Sequence, residues 1–402
     1  MGRLQSWVDA VRRSPVPWVA AGVVVIAAVV GGVLLATTAS HPPAPSPTRS
    51  VRAVALGDSV PYGHGLANPY LTPQIGLPSG DVSQGPSTLA YPSLVTAKLG
   101  LTMTVRPTNC HLEGDQLAIS GAVADAADNT ARDGQCPNPP QQARNLGDQI
   151  AASGLSQHRA RLVLLQDGAD DIHFADCLEY QLARISNANL GLGTDCVVNG
   201  AVTPALTTEL ANVRSSLASA IEQVAPDAAT VAVLNYYQPI PQPGQIGDDT
   251  SLSGSETNLV CTGLKANAAS TSAAADVVLA KLNASVAGAV ANARAHGVRN
   301  VVLIDVAHAF DGHGICTADP WAFSSEPVPD TTLAADAEHI LAAKACTAAH
   351  DAVHAIPCSS EVASADQAEQ TLKDYVWRAA HPTADGQHAL AAAVESALRG
   401  RV

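Results

Sequence analysis

Aromatic side chains are scarce in this chain and alanine is abundant, so an apolar content of 47% is carried mainly by aliphatic residues. That content, with strand-like and helix-like patterns throughout, excludes a disordered polymer. Basic residues are also few: 22 Lys and Arg against 36 Asp and Glu leave a net charge of −14. A nucleic-acid backbone needs a basic surface, so nucleic acid is excluded as a partner. No two of the eight cysteines form a C-x-x-C pair, which removes the usual zinc and redox arrangements. No internal repeat is visible. The 402 residues suffice for a large core.

Charge is absent altogether from Pro17 to Ala36, with Arg3, Arg12 and Arg13 before that run. Roughly 20 apolar residues span a bilayer, and positive charge on the N-terminal side keeps that side in the cytoplasm. The expected organisation is a cytoplasmic N-terminus over 1–15, a transmembrane signal anchor over 16–39, a Pro- and Ser-rich linker over 40–50 and one domain over 51–402. A cleavable signal peptide is the alternative, with Thr37-Thr38-Ala39 before Ser40 as its cleavage site. Either way the domain lies outside the membrane, anchored or secreted. An even number of cysteines suits such a compartment. Connectivity does not follow from sequence; the expectation adopted is pairing in chain order, Cys110–Cys136, Cys177–Cys196, Cys261–Cys316 and Cys346–Cys358.

What is present is an alternation of strands and helices. The β-branched run from Val51 stops at Gly57-Asp58-Ser59, a turn that presents a serine beyond a strand. A helix is predicted over 87–100, short β-like runs over 101–105 and 116–119, and a helix over 141–153. The apolar run 161–166 suits a central parallel strand and ends in Asp167-Gly168-Ala169-Asp170-Asp171. Residues 172–203 read as an excursion held by Cys177 and Cys196. Leu206, Leu210, Val213, Leu217 and Ile221 repeat at helical spacing over 205–224. Strands over 230–234 and 300–305 flank a helix over 273–296, and a turn at His381-Pro382 opens a terminal helix. This order predicts an α/β fold with a parallel sheet covered on both faces. Reactive groups then collect past the carboxyl ends of the strands, where Ser59, Gly121, Gly168–Asp171 and Asn235–Gln238 stand.

Gly57-Asp58-Ser59 with Gly63, Ser120-Gly121-Ala122, Gly168-Ala169-Asp170-Asp171 and His381-Pro382 occur in the order of the four blocks of the SGNH (GDSL) hydrolases. The chain resembles that superfamily, in particular its secreted, disulfide-bonded actinobacterial esterases and lipases, over about residues 51–398. The resemblance implies a flavodoxin-like α/β/α sandwich with a central parallel sheet. It implies Ser59 as nucleophile, His381 as base, and an oxyanion hole from Ser59, Gly121 and position 170.

Two positions depart from the family pattern. Position 170 is Asp where the family has Asn, and an ionised carboxylate cannot donate to an oxyanion. Asp170 is then held protonated, or the hole works with two donors, or activity is reduced. Position 378 is Arg where the family often has the aspartate of the triad, so the backbone carbonyl of Arg378 is the expected acceptor for the imidazole. Asp374 is the alternative. His313 is expected to be structural rather than part of the cleft, and His388 to lie out of reach. Asp170, Asp171 and His173 have metal-ligand chemistry without supporting spacing, so no metal and no cofactor is expected. The expected activity is hydrolysis of small-molecule acyl or lipid esters by a monomer outside the membrane, with acyl lipids weakly favoured. Acyl transfer or deacetylation of lipid or glycan is a related reading, and a catalytically impaired binding protein on the same scaffold is the alternative class.

Overall fold

The structure is a computed structural model that describes residues 50–66, 87–105, 114–118, 122–124, 145–182, 184–185, 188–189, 195–247, 256–324, 327–329, 346, 363–364 and 379–402. The chain divides into two units, Met1–Ser50 and Val51–Val402. The expected membrane anchor lies outside the described residues, as do Cys110, Cys136, Cys358, Gly121, Asp374 and Arg378. All the described strands and helices belong to the second unit.

The centre of that unit is a four-stranded parallel sheet in the order β1 (Ala53–Gly57), β2 (Ala160–Gln166), β3 (Ala228–Leu234), β4 (Val301–Ile304). Register runs from Ala53 opposite Leu162 to Gly57 opposite Gln166, and from Val231 to Leu234 opposite Val301 to Ile304. Every residue of β1 is buried, which requires cover on both faces and explains its unbroken apolar run. On the outer edge of β1 the predicted β-like runs at 101–105 and 116–119 appear as parallel bridges, Arg52 with Thr102 and Ala55 with Gln116. Counting that edge, the order in chain sequence is 2-1-3-4-5, a doubly wound arrangement.

Helices connect the strands. Those described are α1 (Ser59–Tyr62), α2 (Tyr91–Lys98), α3 (Leu146–Ala152), α4 (Phe174–Leu182), α5 (Pro204–Val224), α6 (Leu259–Ala295) and α7 (Ala384–Leu398). Helix α2 packs on α7, while α5 packs on α3 and α6. The periodic residues of α5 from Leu206 to Ile221 are all buried, as their spacing requires. Helix α6 starts 14 residues earlier than the predicted 273, at Leu259, capped by Asn258 and bent at Asn267, whose φ and ψ leave the helical region. It is apolar and long enough to cross a membrane by those criteria, yet its residues Leu264, Leu282, Val286 and Val290 are buried in this domain's core. Among the described cysteines, Cys177–Cys196 and Cys261–Cys316 are joined as expected, and Cys346 is also disulfide-bonded. Such bonds belong to an oxidising compartment.

Gly57 shows how closely the sheet sets its end. Its φ is +130°, and a Cβ there would sit 1.8 Å from the carbonyl oxygen of Gln166 on β2. Only glycine can carry β1 into the serine turn at this spacing. Gly57→Ala is expected to destabilise the fold by about 3 kcal/mol or more, measured by urea denaturation; a loss below about 0.5 kcal/mol would contradict this close approach.

Candidate active site

The serine turn is held from several directions. Asp58 caps α1, accepting from the amide of Val60 at 3.0 Å, and Gly63 ends the helix in the left-handed conformation. Gln149 on α3 forms a two-way pair with Gly57, accepting from its amide at 2.7 Å and donating to its carbonyl at 2.9 Å. Gln387 on α7 donates to the carbonyl of Val60 and accepts from the amide of Tyr91. Gln116 donates to the carbonyl of Pro61. All three glutamines are fully buried, so their amides turn to backbone for partners, and each fixes a piece of chain near Ser59.

His381 arrives from the other end of the chain. It lies just before α7, after Ala380 in the left-handed region at φ +67°. Phe323 brackets the turn, donating to the carbonyl of His381 at 2.8 Å and accepting from the amide of Ala380 at 2.9 Å. Tyr237 donates its hydroxyl to the carbonyl of Ala380 at 2.8 Å. The result is that Nε2 of His381 stands 2.8 Å from Oγ of Ser59. A hydroxyl and an imidazole nitrogen at that distance can exchange a proton, the requirement for an activated serine.

Asp170 lines the same cleft as Ser59 and His381, so the structure brings these three predicted residues together. Gly121 and Arg378 lie outside the described residues. Nearby, Asp171 accepts from the amide of Ala124, which ties the chain just after residue 121 to the loop after β2. His313 is stacked on Trp321 at 3.8 Å, and His388 is exposed on α7. Among the described residues no group of three His, Cys, Asp or Glu could hold a metal ion.

Besides the three glutamines, sequence reasoning missed two contributors. One is His64, buried, whose ring packs against that of His381 with centroids 4.4 Å apart. Its signal was its place just beyond the serine helix, at Gly63-His64-Gly65. The other is Tyr236, at a strand end that the sequence marks without giving it a role. Its hydroxyl donates to Oδ2 of Asp58 and accepts from the amide of Ala169, so one phenol joins the serine turn to the Asp170 loop. Asn283 on α6 holds the Tyr236 backbone by two hydrogen bonds of 2.8 Å. Burial, with Asp58 beside it, pushes the Tyr236 hydroxyl well above its ordinary value, so it remains a donor.

The carboxylates around this phenol carry a cost. Burial raises Asp58 to about 7, against the hydrogen bonds from Tyr236 and Val60 that lower it. Asp167, at the end of β2, is buried, and neither of its carboxyl oxygens has a well-formed hydrogen bond among the described residues. Burial first, then Asp171, Asp58 and Asp170, push it well above the carboxylate range, and the nearby Gly168 amide offsets little of this.

No family model matches the sequence, and a search of curated proteins finds no relative. Among solved structures the chain is similar to an extracellular lipase from Streptomyces rimosus, at 20% identity and a TM-score of 0.42, covering 86% of this chain and 99% of that one. It is similar to LAE5, an α/β hydrolase from the metagenome of Lake Arreo, at 14% identity and a TM-score of 0.34, covering 87% and 96%. It is also similar to the acetylxylan esterase Axe2 from Geobacillus stearothermophilus, at 11% identity and a TM-score of 0.30, covering 86% and 93%. The chemistry of the site rests on its own atoms.

A carboxyl whose folded-state pKa is raised binds its proton more tightly in the folded chain than in the unfolded one. Above the ordinary value of 3.8 the folded chain therefore keeps a proton on Asp167 that the unfolded chain has given up, and stability falls as pH rises. Asp167→Asn removes that penalty. The variant is expected to melt higher than the parent by a wider margin at about pH 8 than at about pH 5, by calorimetry; an equal difference at both values would contradict the raised pKa.

Proposed function

We propose that the chain is a serine hydrolase of carboxylic (acyl) esters, an SGNH-type esterase or lipase working outside the membrane. The observation that carries this reading is the 2.8 Å approach of His381 Nε2 to Ser59 Oγ at the carboxyl end of a parallel sheet. In the reaction His381 takes the Oγ proton as Ser59 attacks the ester carbonyl carbon. The tetrahedral oxyanion is received by the backbone amides of Ser59 and Gly121. Collapse expels the alcohol, which takes the proton back from His381 and leaves an acyl group on Ser59. Water, giving a proton to His381 in turn, attacks that acyl group; His381 then passes the proton to Ser59 Oγ as the bond to the acyl carbon breaks and the acid leaves.

His381 needs an acceptor on its second ring nitrogen to set its tautomer, and the carbonyl of Arg378 is assigned that role. Asp170 takes the place of a third oxyanion donor, which a carboxyl can fill only when protonated. The site works with two donors or with a protonated Asp170. The disulfides fit an oxidising, extracellular compartment. An N-terminal anchor over 16–39 and a linker over 40–50 would hold a monomeric domain at the outer surface, and cleavage would release it. A non-water acceptor would turn the same acyl-enzyme towards transfer.

The full-length protein is expected to release p-nitrophenol from short p-nitrophenyl esters. Ser59→Ala and His381→Ala should each lower kcat by about 10³-fold or more, while Asp170→Asn should keep or raise it. Release unchanged by Ser59→Ala would overturn the assignment, and a large fall in Asp170→Asn would show that the carboxylate has a positive role.

A further inference from the structure

The cleft that reaches Ser59 and His381 has a volume of about 80 Å³. Beyond the reacting pair its lining is mostly apolar, with Phe174, Leu178 and Leu279. Behind it lies a second cavity of about 10 Å³, lined by Val197, Ala275 and Val278 among others. Phe174 and Leu178 line both spaces, so these two side chains form the wall between them. They stand four residues apart on α4 and share one face of it.

That wall is anchored. The Cys177–Cys196 disulfide fastens α4 between the two wall residues. The amide of Phe174 donates to the carbonyl of Ala169, in the loop that carries Asp170. Helix α4 also packs along α6. A wall held in this way does not yield easily to a longer guest, so its position sets the depth of the cleft.

The volume indicates what fits. A cavity of about 150 Å³ accommodates benzene, with its six carbons. A space of about 80 Å³ takes roughly half as many, about three carbons, and the ester carbonyl carbon beside Ser59 is one of them. We infer that the acyl side of the substrate is short, acetyl to butanoyl, and that Phe174 and Leu178 are the residues that set this limit. The inference rests on the ester-hydrolase reading and departs from the expectation of acyl lipids. The small second cavity gives it a direct handle, because removing the Phe174 ring joins the two spaces into one longer pocket. Ala175, exposed and on the rim of the same cleft, allows the opposite change without touching the core.

The test is a series of p-nitrophenyl esters from acetyl to octanoyl on the full-length protein. For the parent, kcat/KM should be highest between acetyl and butanoyl and lower by about tenfold or more at octanoyl. Phe174→Ala and Leu178→Ala should each raise the octanoyl-to-acetyl ratio by about tenfold. Ala175→Phe should shift the balance the other way, lowering the butanoyl-to-acetyl ratio; this variant adds bulk at an exposed position and keeps the test open if an opened wall fails to fold. Ser59-dependent hydrolysis that is best at octanoyl, or a profile that none of the three variants moves, overturns the chain-length inference while leaving the esterase reading in place. Loss of Ser59-dependent hydrolysis with every ester would overturn the reading beneath it and the inference with it.

Discussion

Ser59 and His381 are separated by 322 positions, and one hydrogen-bond distance joins them. Everything near that contact serves to hold its two ends still. The serine end is fixed by the sheet, since β1 cannot enter the turn without Gly57 lying almost against the Gln166 carbonyl. At the histidine end no strand leads into the turn among the described residues, and Phe323 and Tyr237 hold it through hydrogen bonds to its backbone. Gln387 then ties α7, which follows the histidine, to the carbonyl of Val60, which follows the serine. A buried amide in that position links the two halves of the site, and its polar atoms would be costly to leave unpaired.

The same neighbourhood concentrates acid. Asp58 and Asp167 are buried, with Asp170 and Asp171 close enough to act on them. A core of this kind is less stable than one with neutral residues at neutral pH. Asp58 recovers part of the cost through Val60 and Tyr236. Asp167 shows little such compensation from the described side chains or backbone. Stability sacrificed at the carboxyl ends of strands is a common mark of a working site, where groups are placed for chemistry rather than for packing.

Much of the frame was legible in the sequence because it rests on local pattern. The apolar run of β2 and the spacing of α5 lead to elements within a few residues of those observed. The pairings of Cys177 with Cys196 and of Cys261 with Cys316 follow chain order, as expected. The sequence pattern marks only the later part of α6, because its first part, rich in Ala, Ser, Thr and Asn, has weak apolar periodicity and bends at Asn267. The edge beside β1 reads as strand, but among the described residues only isolated bridges form there. His64, Tyr236 and the buried glutamines were invisible as site residues for a different reason. A buried amide has no local signal, and the place of His64 just beyond the serine helix gives it no role by itself; these roles exist only when distant segments meet. Gly121 and Arg378, carried by resemblance, fall outside the described residues.

Activation of Ser59 by His381 is tested most directly by covalent capture of the full-length protein with a fluorophosphonate, followed by mass spectrometry of its peptides. One adduct is expected, on Ser59, formed far more slowly in His381→Ala. Labelling on another residue, or an unchanged rate in His381→Ala, would contradict that activation.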